Sequence, residues 1–184
     1  MEPVSQDPDE FCRAIRRRLV GSMVLFCGDR DVAEELAQEA LVRAIERWSR
    51  VSRYGSPEAW TYRTAFNLAR SRARRRAAER RANERYAHRA LPPALPDTPT
   101  AIALRDAVRA LPTRQMEAVV ARFYAGMSVD EAADVMRCAP GTVKALTHQA
   151  VLRLRAAGLV DEIDETDGRD DGHEEEVRPD EVVG

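Results

Sequence analysis

Apolar residues recur at every third or fourth position along much of the chain, a spacing that predicts amphipathic helices and no strands. The first helix follows a cap and a first-turn proline at Asp7-Pro8 and ends at Gly28. A second begins near residue 29 or 31 and continues to Trp48, and residues 49–56 then predict a loop. A third helix follows and continues into an arginine-rich end. The apolar positions of the first two helices are Phe11, Ile15, Leu19, Met23, Phe26, Val32, Leu36, Ala40, Leu41, Ala44, Ile45 and Trp48.

A second set of helices follows residues 91–99, which contain four prolines in nine residues. Such a segment cannot continue a helix and predicts a linker between two domains. Beyond it, the pattern predicts one helix over residues 102–111. It predicts another that is capped by Thr113 and turns Phe123 and Tyr124 inward.

The last two predicted helices have the proportions of a helix-turn-helix. Ser128 and Glu131 match a capping box, which opens a short helix. A turn of three residues separates it from a longer helix that begins at Pro140. In such a motif the second helix enters the major groove, with its N-terminal residues nearest the bases. A helical hairpin with no role in DNA binding is the alternative. The residues expected to contact DNA are Thr142, Lys144, Ala145 and His148.

These elements predict an all-α chain with two small helical domains joined by a Pro-rich linker, the C-terminal one a helix-turn-helix. We expect the first domain at residues 7–90, the linker at 91–100 and the second domain at 101–158. Residues 159–184 have the composition of a disordered acidic tail.

Charge is distributed unevenly along the chain. Residues 161–184 hold 12 acidic and 2 basic residues, a net of −10, and the whole chain carries −2, so the first 160 residues carry +8. Within them, residues 67–90 contain 9 arginines and 2 glutamates. This distribution favours a polyanionic partner for the body of the protein. A solvated arginine-rich helix face is the alternative, and the tail either aids solubility or shields these arginines.

The sequence shows none of the motifs that an enzyme needs. It contains no glycine-rich phosphate loop, no nucleophile paired with a base and no cluster of metal ligands, so we expect no catalysis, cofactor or metal. Cys12, Cys27 and Cys138 are far apart and are predicted to be buried, reduced thiols. The start of the chain lacks a signal-peptide pattern, and no apolar run approaches the ~20 residues that span a bilayer. We therefore expect a cytoplasmic protein without a membrane partner.

Three segments carry motifs of one protein family. Pro140-Gly-Thr-Val-Lys144 follows a helix start at Leu111-Pro112, and residues 33–48 read AEELAQEALVRAIERW. Residues 59–70 read AWTYRTAFNLAR and precede a run of arginines. Together these segments resemble RNA polymerase sigma factors of the extracytoplasmic-function (ECF) type. The resemblance implies that residues 33–48 dock on the β′ clamp of core polymerase and that residues 59–70 melt and read the −10 element. It implies that the helix-turn-helix reads the −35 element of promoter DNA.

The resemblance also assigns roles to individual residues. Docking on the clamp needs exposed polar groups beside apolar ones. The polar groups are expected to be Glu35, Gln38 and Glu39. Holding melted DNA needs a cationic face and a base pocket, which we assign to Tyr54, Trp60, Asn67, Arg70, Arg74 and Arg75. Trp60 is ambiguous, because a tryptophan at such a position belongs to the core more often than not. The alternative for the acidic residues is that they are solvated helix charges, and Asn67 is assigned by its position in the family motif alone.

Some positions depart from the family pattern. Ala139 stands where a serine cap is usual, and fewer arginines follow Lys144, which predicts a shallower dependence of DNA binding on salt. The alternative function is a stand-alone helix-turn-helix regulator, which would bind operator DNA as a dimer without polymerase. An anti-sigma factor is a further partner that the resemblance allows.

Overall fold

The computed structural model describes residues 7–82 and 99–159, and these residues form helices and turns without a strand. The all-α prediction is therefore confirmed. Of the predicted boundaries, the end of the first domain, most of the linker and nearly all of the acidic tail lie outside the described residues. The helices are α1 (Pro8–Cys27), α2 (Arg30–Glu46), α3 (Trp48–Val51), α4 (Pro57–Ala82), α5 (Pro99–Ala110), α6 (Thr113–Val119), α7 (Val129–Met136) and α8 (Pro140–Ala156).

Helices α1, α2 and α4 begin where short polar side chains cap them. The side chain of Asp7 accepts a hydrogen bond from the backbone N–H of Asp9, and that of Asp29 accepts one from Val32 at 3.0 Å. The Ser56 hydroxyl accepts one from Ala59 at 3.1 Å. Each bond satisfies a backbone donor that the first helical turn leaves without a partner.

Three local predictions are wrong. Residues 49–51 of the predicted loop belong to the short helix α3, because tertiary packing buries the Val51 side chain completely. Thr113 is the first residue of α6 and makes no capping bond, since the backbone of Pro112 already occupies the cap position. Phe123 is 50% exposed, although the hydrophobic pattern predicts that its side chain points inward.

A π-helical turn at Val120–Tyr124 explains the position of Phe123. A π turn places an extra residue in one turn of the helix, so the side chains beyond it rotate away from the regular 3.6-residue pattern. Phe123 is thereby directed to solvent, while the ring of Tyr124 lies against Gly21 of α1. The hydrophobic pattern alone contains no signal for this extra residue.

The core of the N-terminal half lies between α1, α2 and α4. Tyr62 and Phe66 of α4 are fully buried, and the Phe66 ring meets the Phe26 ring edge-on at a centroid distance of 5.1 Å. The C-terminal half packs α6, α7 and α8 together, with Val143 and Ala150 of α8 fully buried. Buried residues of both halves belong to one continuous apolar cluster, so the halves contact each other directly.

Candidate protein and nucleic-acid interfaces

The first candidate interface is the outer side of α2. The inner side of this helix is closed by Ala33, Ala37 and Ala40, which are fully buried and let α2 approach α1. On the outer side, Glu35, Gln38 and Glu39 are exposed, as the sequence predicted. Val42 and Ile45 lie one and two helical turns further along, and they are 41% and 42% exposed. We call these five residues the α2 surface.

The α2 surface combines acceptors with uncovered apolar area, which suits a protein partner. Its carboxylates are partly neutralised within the chain: Glu39 accepts from Arg43 at 2.9 Å, and Glu35 accepts from Arg72 of α4 at 2.7 Å. Exposed pairs of this kind contribute only about 0–1 kcal/mol, so a partner can replace them at low cost. The spacing of Ile45 predicts an inward position, and its exposure shows that this prediction is wrong.

The second candidate interface runs along α4. Trp60 is half-buried near the start of the helix, Asn67 is exposed at its middle, and Arg74 and Arg75 are exposed beyond it. Residues 60, 67 and 74 are seven positions apart and therefore share one side of the helix over about 21 Å. Tyr54 is 40% exposed in the turn before α4. We call Tyr54, Trp60, Asn67, Arg70, Arg74 and Arg75 the α4 surface.

Within the α4 surface, Arg70 makes an ion pair with the other half of the chain. One guanidinium nitrogen donates to both carboxylate oxygens of Glu117 on α6, at 2.8 and 3.1 Å. Another donates to the Asn67 side-chain oxygen at 2.6 Å. The Arg70 side chain is only 21% exposed and that of Glu117 is fully buried. The structure thus brings Arg70 and Asn67 together and joins both to the other half of the chain.

Glu117 is a residue that the sequence analysis missed. Arg114, one turn earlier on α6, also donates to its carboxylate at 2.9 Å. Burial raises the pKa of Glu117 above its ordinary value, and the two arginines offset this rise only in part. One signal in the sequence could have indicated its role. Glu117 is an isolated carboxylate between Met116 and Ala118 in an otherwise apolar stretch, and a charge that is buried there requires a partner.

The third candidate interface is the outer side of α8, and this helix is positioned by α7 and by the turn between the two helices. The Ser128 hydroxyl accepts from the Glu131 N–H at 3.1 Å, and the Glu131 carboxylate accepts from the Ser128 N–H at 3.0 Å. This confirms the capping box that opens α7. The turn that follows places Arg137 in the left-handed conformation, with φ of 52°. An Arg114 nitrogen donates to the Met136 carbonyl at 3.0 Å and thereby ties α6 to this turn.

Helix α8 buries one side and exposes the other. Val143, Ala150, Val151 and Leu154 are buried against α6 and α7. All four predicted DNA contacts lie on the exposed part: Thr142, Lys144, Ala145 and His148. We call these four residues the α8 surface. Ala139 caps the helix without a side-chain hydrogen bond, which confirms the weak cap inferred from the sequence.

Within residues 7–82 and 99–159, no three His, Cys, Asp or Glu residues group as metal ligands do. Cys12, Cys27 and Cys138 are half-buried free thiols, where the sequence predicted full burial. Burial raises the pKa of Cys27 to about 12, so this thiol is protonated and unreactive at neutral pH. None of the helices described combines the length and the apolarity that a bilayer span requires.

Two known protein-family patterns match the two halves of the chain separately. The sequence pattern of "Sigma-70 region 2" matches residues 11–79, and that of "Sigma-70, region 4" matches residues 101–154. These matches cover the α2 and α4 surfaces in the first case and the helix-turn-helix in the second. The alternative function, a stand-alone helix-turn-helix regulator, does not explain the match to region 2.

Whole-chain relatives and a solved structure extend the comparison. The chain is 27% identical over 156 residues to the RNA polymerase sigma-E factor of Streptomyces coelicolor, covering 85% of this chain and 88% of that one. It is 32% identical over 137 residues to the ECF RNA polymerase sigma factor EcfG of Rhodopseudomonas palustris, covering 73% and 75%. The fold is shared with the sigma factor RpoE of Bartonella quintana, solved with the anti-sigma factor NepR. That match has a TM-score of 0.76 at 24% identity and covers 86% of this chain and all of the other. The chain therefore belongs to the sigma-70 family, as an RNA polymerase sigma factor of the ECF type.

Proposed function

We propose that each of the three surfaces makes one of the contacts through which a sigma factor acts. The α2 surface binds core polymerase, the α4 surface holds the melted −10 element, and the α8 surface reads the −35 element. The chain acts in the cytoplasm and has no catalytic activity of its own. The observation that carries this proposal is that the exposed residues of each surface lie on one side of a single helix or directly beside it.

The chemistry of each surface suits its proposed partner. The α2 surface places polar groups next to the apolar side chains of Val42 and Ile45, an arrangement that can bury area against a protein. The α4 surface supplies arginines for phosphates and aromatic rings on which an unstacked base can pack. The α8 surface presents the first turns of a helix, including Lys144, to the major groove.

Transcription by reconstituted polymerase tests the proposal. Core polymerase and the purified chain are incubated with a library of random promoter sequences, and run-off transcripts are selected and sequenced. We expect recovery of a two-part motif whose halves have a constant spacing. Failure of the chain to associate with core polymerase would contradict the assignment of the α2 surface.

One variant at each surface separates the three contacts. The double substitution of Gln38 and Glu39 to Ala should weaken binding to core polymerase, and Glu79→Gln, an exposed change on α4, is the control. Lys144→Ala should reduce the salt dependence of −35 binding by about one counterion, or relax base preference at one position if it contacts a base. Trp60→Ala should impair opening of the −10 element without changing affinity for core polymerase. If all three variants behaved as the unaltered protein does, the surfaces would be wrongly assigned.

An anti-sigma factor belongs to the proposal as a second protein partner. The support is the shared fold with the Bartonella sigma factor, which was solved bound to one. Affinity purification of the tagged chain from its own cells, with and without excess core polymerase, tests for a partner that polymerase displaces.

A further inference from the structure

One hydrogen bond links the outer side of α8 to the buried side of α6. The side-chain nitrogen of Gln115 donates to the side-chain oxygen of Gln149 at 3.0 Å, although 34 positions separate the two residues. Gln115 is only 5% exposed, whereas Gln149 is exposed on α8. A buried polar group of one helix therefore holds an exposed polar group of the other.

Gln149 lies on the same side of α8 as two members of the α8 surface. Thr142, Ala145 and Gln149 are three and four positions apart, the spacing that places side chains on one side of a helix. Gln149 is about 6 Å along the helix axis from Ala145, roughly the rise of two base pairs. A helix whose first turns reach the bases therefore brings Gln149 to the next bases along the major groove.

The bond to Gln115 fixes which end of the Gln149 amide faces outward. An amide carries its oxygen acceptor and its nitrogen donors on one planar group, so turning the oxygen inward turns the nitrogen away. Gln115 is enclosed between α6 and α8 and cannot rotate freely to follow Gln149. Gln149 is therefore held with two N–H donors on the side away from Gln115.

The bases of DNA respond differently to such a donor-only group. Guanine presents two acceptors in the major groove, O6 and N7, whereas adenine presents the N7 acceptor beside the N6 donor. A glutamine that rotates freely pairs with adenine through both its oxygen and its nitrogen. When the oxygen is turned toward Gln115, the acceptor that adenine needs is missing, and guanine becomes the better partner.

We propose that Gln149 selects a guanine at one position of the −35 element, and that Gln115 is the positioning residue that sets this choice by holding the Gln149 oxygen inward. This inference rests on the proposed function, since it takes the outer side of α8 to be the −35 contact. It adds a base-reading residue to that contact and gives a role in specificity to a residue that does not touch DNA.

Three substitutions change the outward group in different ways. Gln149→Ala removes it. Gln149→Glu keeps an oxygen that can accept from Gln115 but replaces the outward donors by a second oxygen, which accepts from the cytosine N4 group. Gln115→Leu replaces a buried polar side chain by an apolar one and releases the Gln149 amide, which can then turn to pair with adenine.

The matched control is Val151→Ala. Val151 is buried on the inner side of α8, so this change loosens the packing of the same helix and leaves both glutamines in place. Circular dichroism verifies that each full-length variant is folded. A shift of base preference in the control as well would assign the effect to packing and overturn the inference.

The assay is run-off transcription by holoenzyme from promoters that are randomised over the −35 element, with sequencing of the transcribed templates. For the unaltered chain we expect one position at which guanine exceeds adenine by about fivefold or more, the lower end of a good base contact. At that position alone, Gln149→Ala should abolish the preference. Gln149→Glu should change the preference to cytosine, and Gln115→Leu should change it to adenine.

The outcomes separate the inference from the function on which it rests. If both Gln149 variants left every base preference unchanged, Gln149 would not read DNA and the inference would be overturned. If Gln115→Leu lowered transcription from all templates alike, with no change of preference, Gln115 would have a structural role only. If even the unaltered chain enriched no base in the −35 element, the assignment of the α8 surface itself would fail, and the inference with it.

Discussion

The two helices of the helix-turn-helix differ in their caps, and this difference makes a sharp prediction about stability. Ser128 caps α7 with a reciprocal pair of hydrogen bonds of 3.1 and 3.0 Å. Ala139 occupies the same position before α8 with φ of −68° and ψ of 148°, the extended conformation that a capping residue adopts, but it offers no acceptor. Both residues are exposed, so substitution leaves core packing unchanged.

Ser128→Ala should therefore lower the free energy of unfolding by about 1 kcal/mol, and Ala139→Ser should raise it by about 0.5–1 kcal/mol. In a chain of 184 residues, each kcal/mol corresponds to a shift of about 2–4 °C in Tm. Differential scanning calorimetry of both variants and of their double mutant measures these shifts, which should add if the two caps act independently.

The sign of each shift decides the reasoning. Suppose that Ala139→Ser left Tm unchanged or lowered it, while Ser128→Ala lowered Tm as expected. The backbone donors at the start of α8 would then already have a partner, and the reasoning would be wrong. Ala139→Asp provides a second comparison. An anion there stabilises the helix N-terminus further but repels DNA phosphates, so stability and −35 affinity should change in opposite directions.

Other parts of the structure lead to further predictions. With Cys12 and Cys138 replaced by Ser, alkylation of Cys27 at pH 7.5 should be about 30- to 60-fold slower in the folded than in the unfolded chain. Its pKa rises from 9.0 to about 12, which lowers the thiolate fraction, and the greater nucleophilicity of a more basic thiolate offsets part of that loss. For the same reason this thiol's contribution to stability should be lost as pH rises above 9, which urea titrations at several pH values would detect. Arg137→Gly should raise the free energy of unfolding by about 0.5–1 kcal/mol, since φ of 52° strains any residue with a Cβ, and an unchanged Tm would contradict this. Phe66→Ala should lower it by about 3–5 kcal/mol through the cavity left beside Phe26, and Phe66→Leu should lower it less.

For three residues, the sequence pattern predicts burial or exposure wrongly, because tertiary packing decides it. Ile45 and Phe123 have the spacing of inward residues, yet both are exposed. Ile45 lies one residue before the end of α2, where it is 42% exposed, and Phe123 is rotated outward by the π turn. Val51 shows the reverse case, because a residue in a predicted loop is fully buried and thereby stabilises a short helix.

The sequence by itself determined the long helices, the caps at Asp7, Ser56 and Ser128, the helix-turn-helix and the exposed sides that carry the candidate contacts, but not α3, the π turn or the cap of α6. All of these depend on residues within a few positions of one another, where periodicity and capping chemistry are local. The pairing of Arg70 with Glu117 was decided only by tertiary structure, since 47 positions separate the two residues and neither has a pattern that names its partner. Whether Arg70 is available to a partner therefore depends on how the two halves pack, which no local rule in the sequence states.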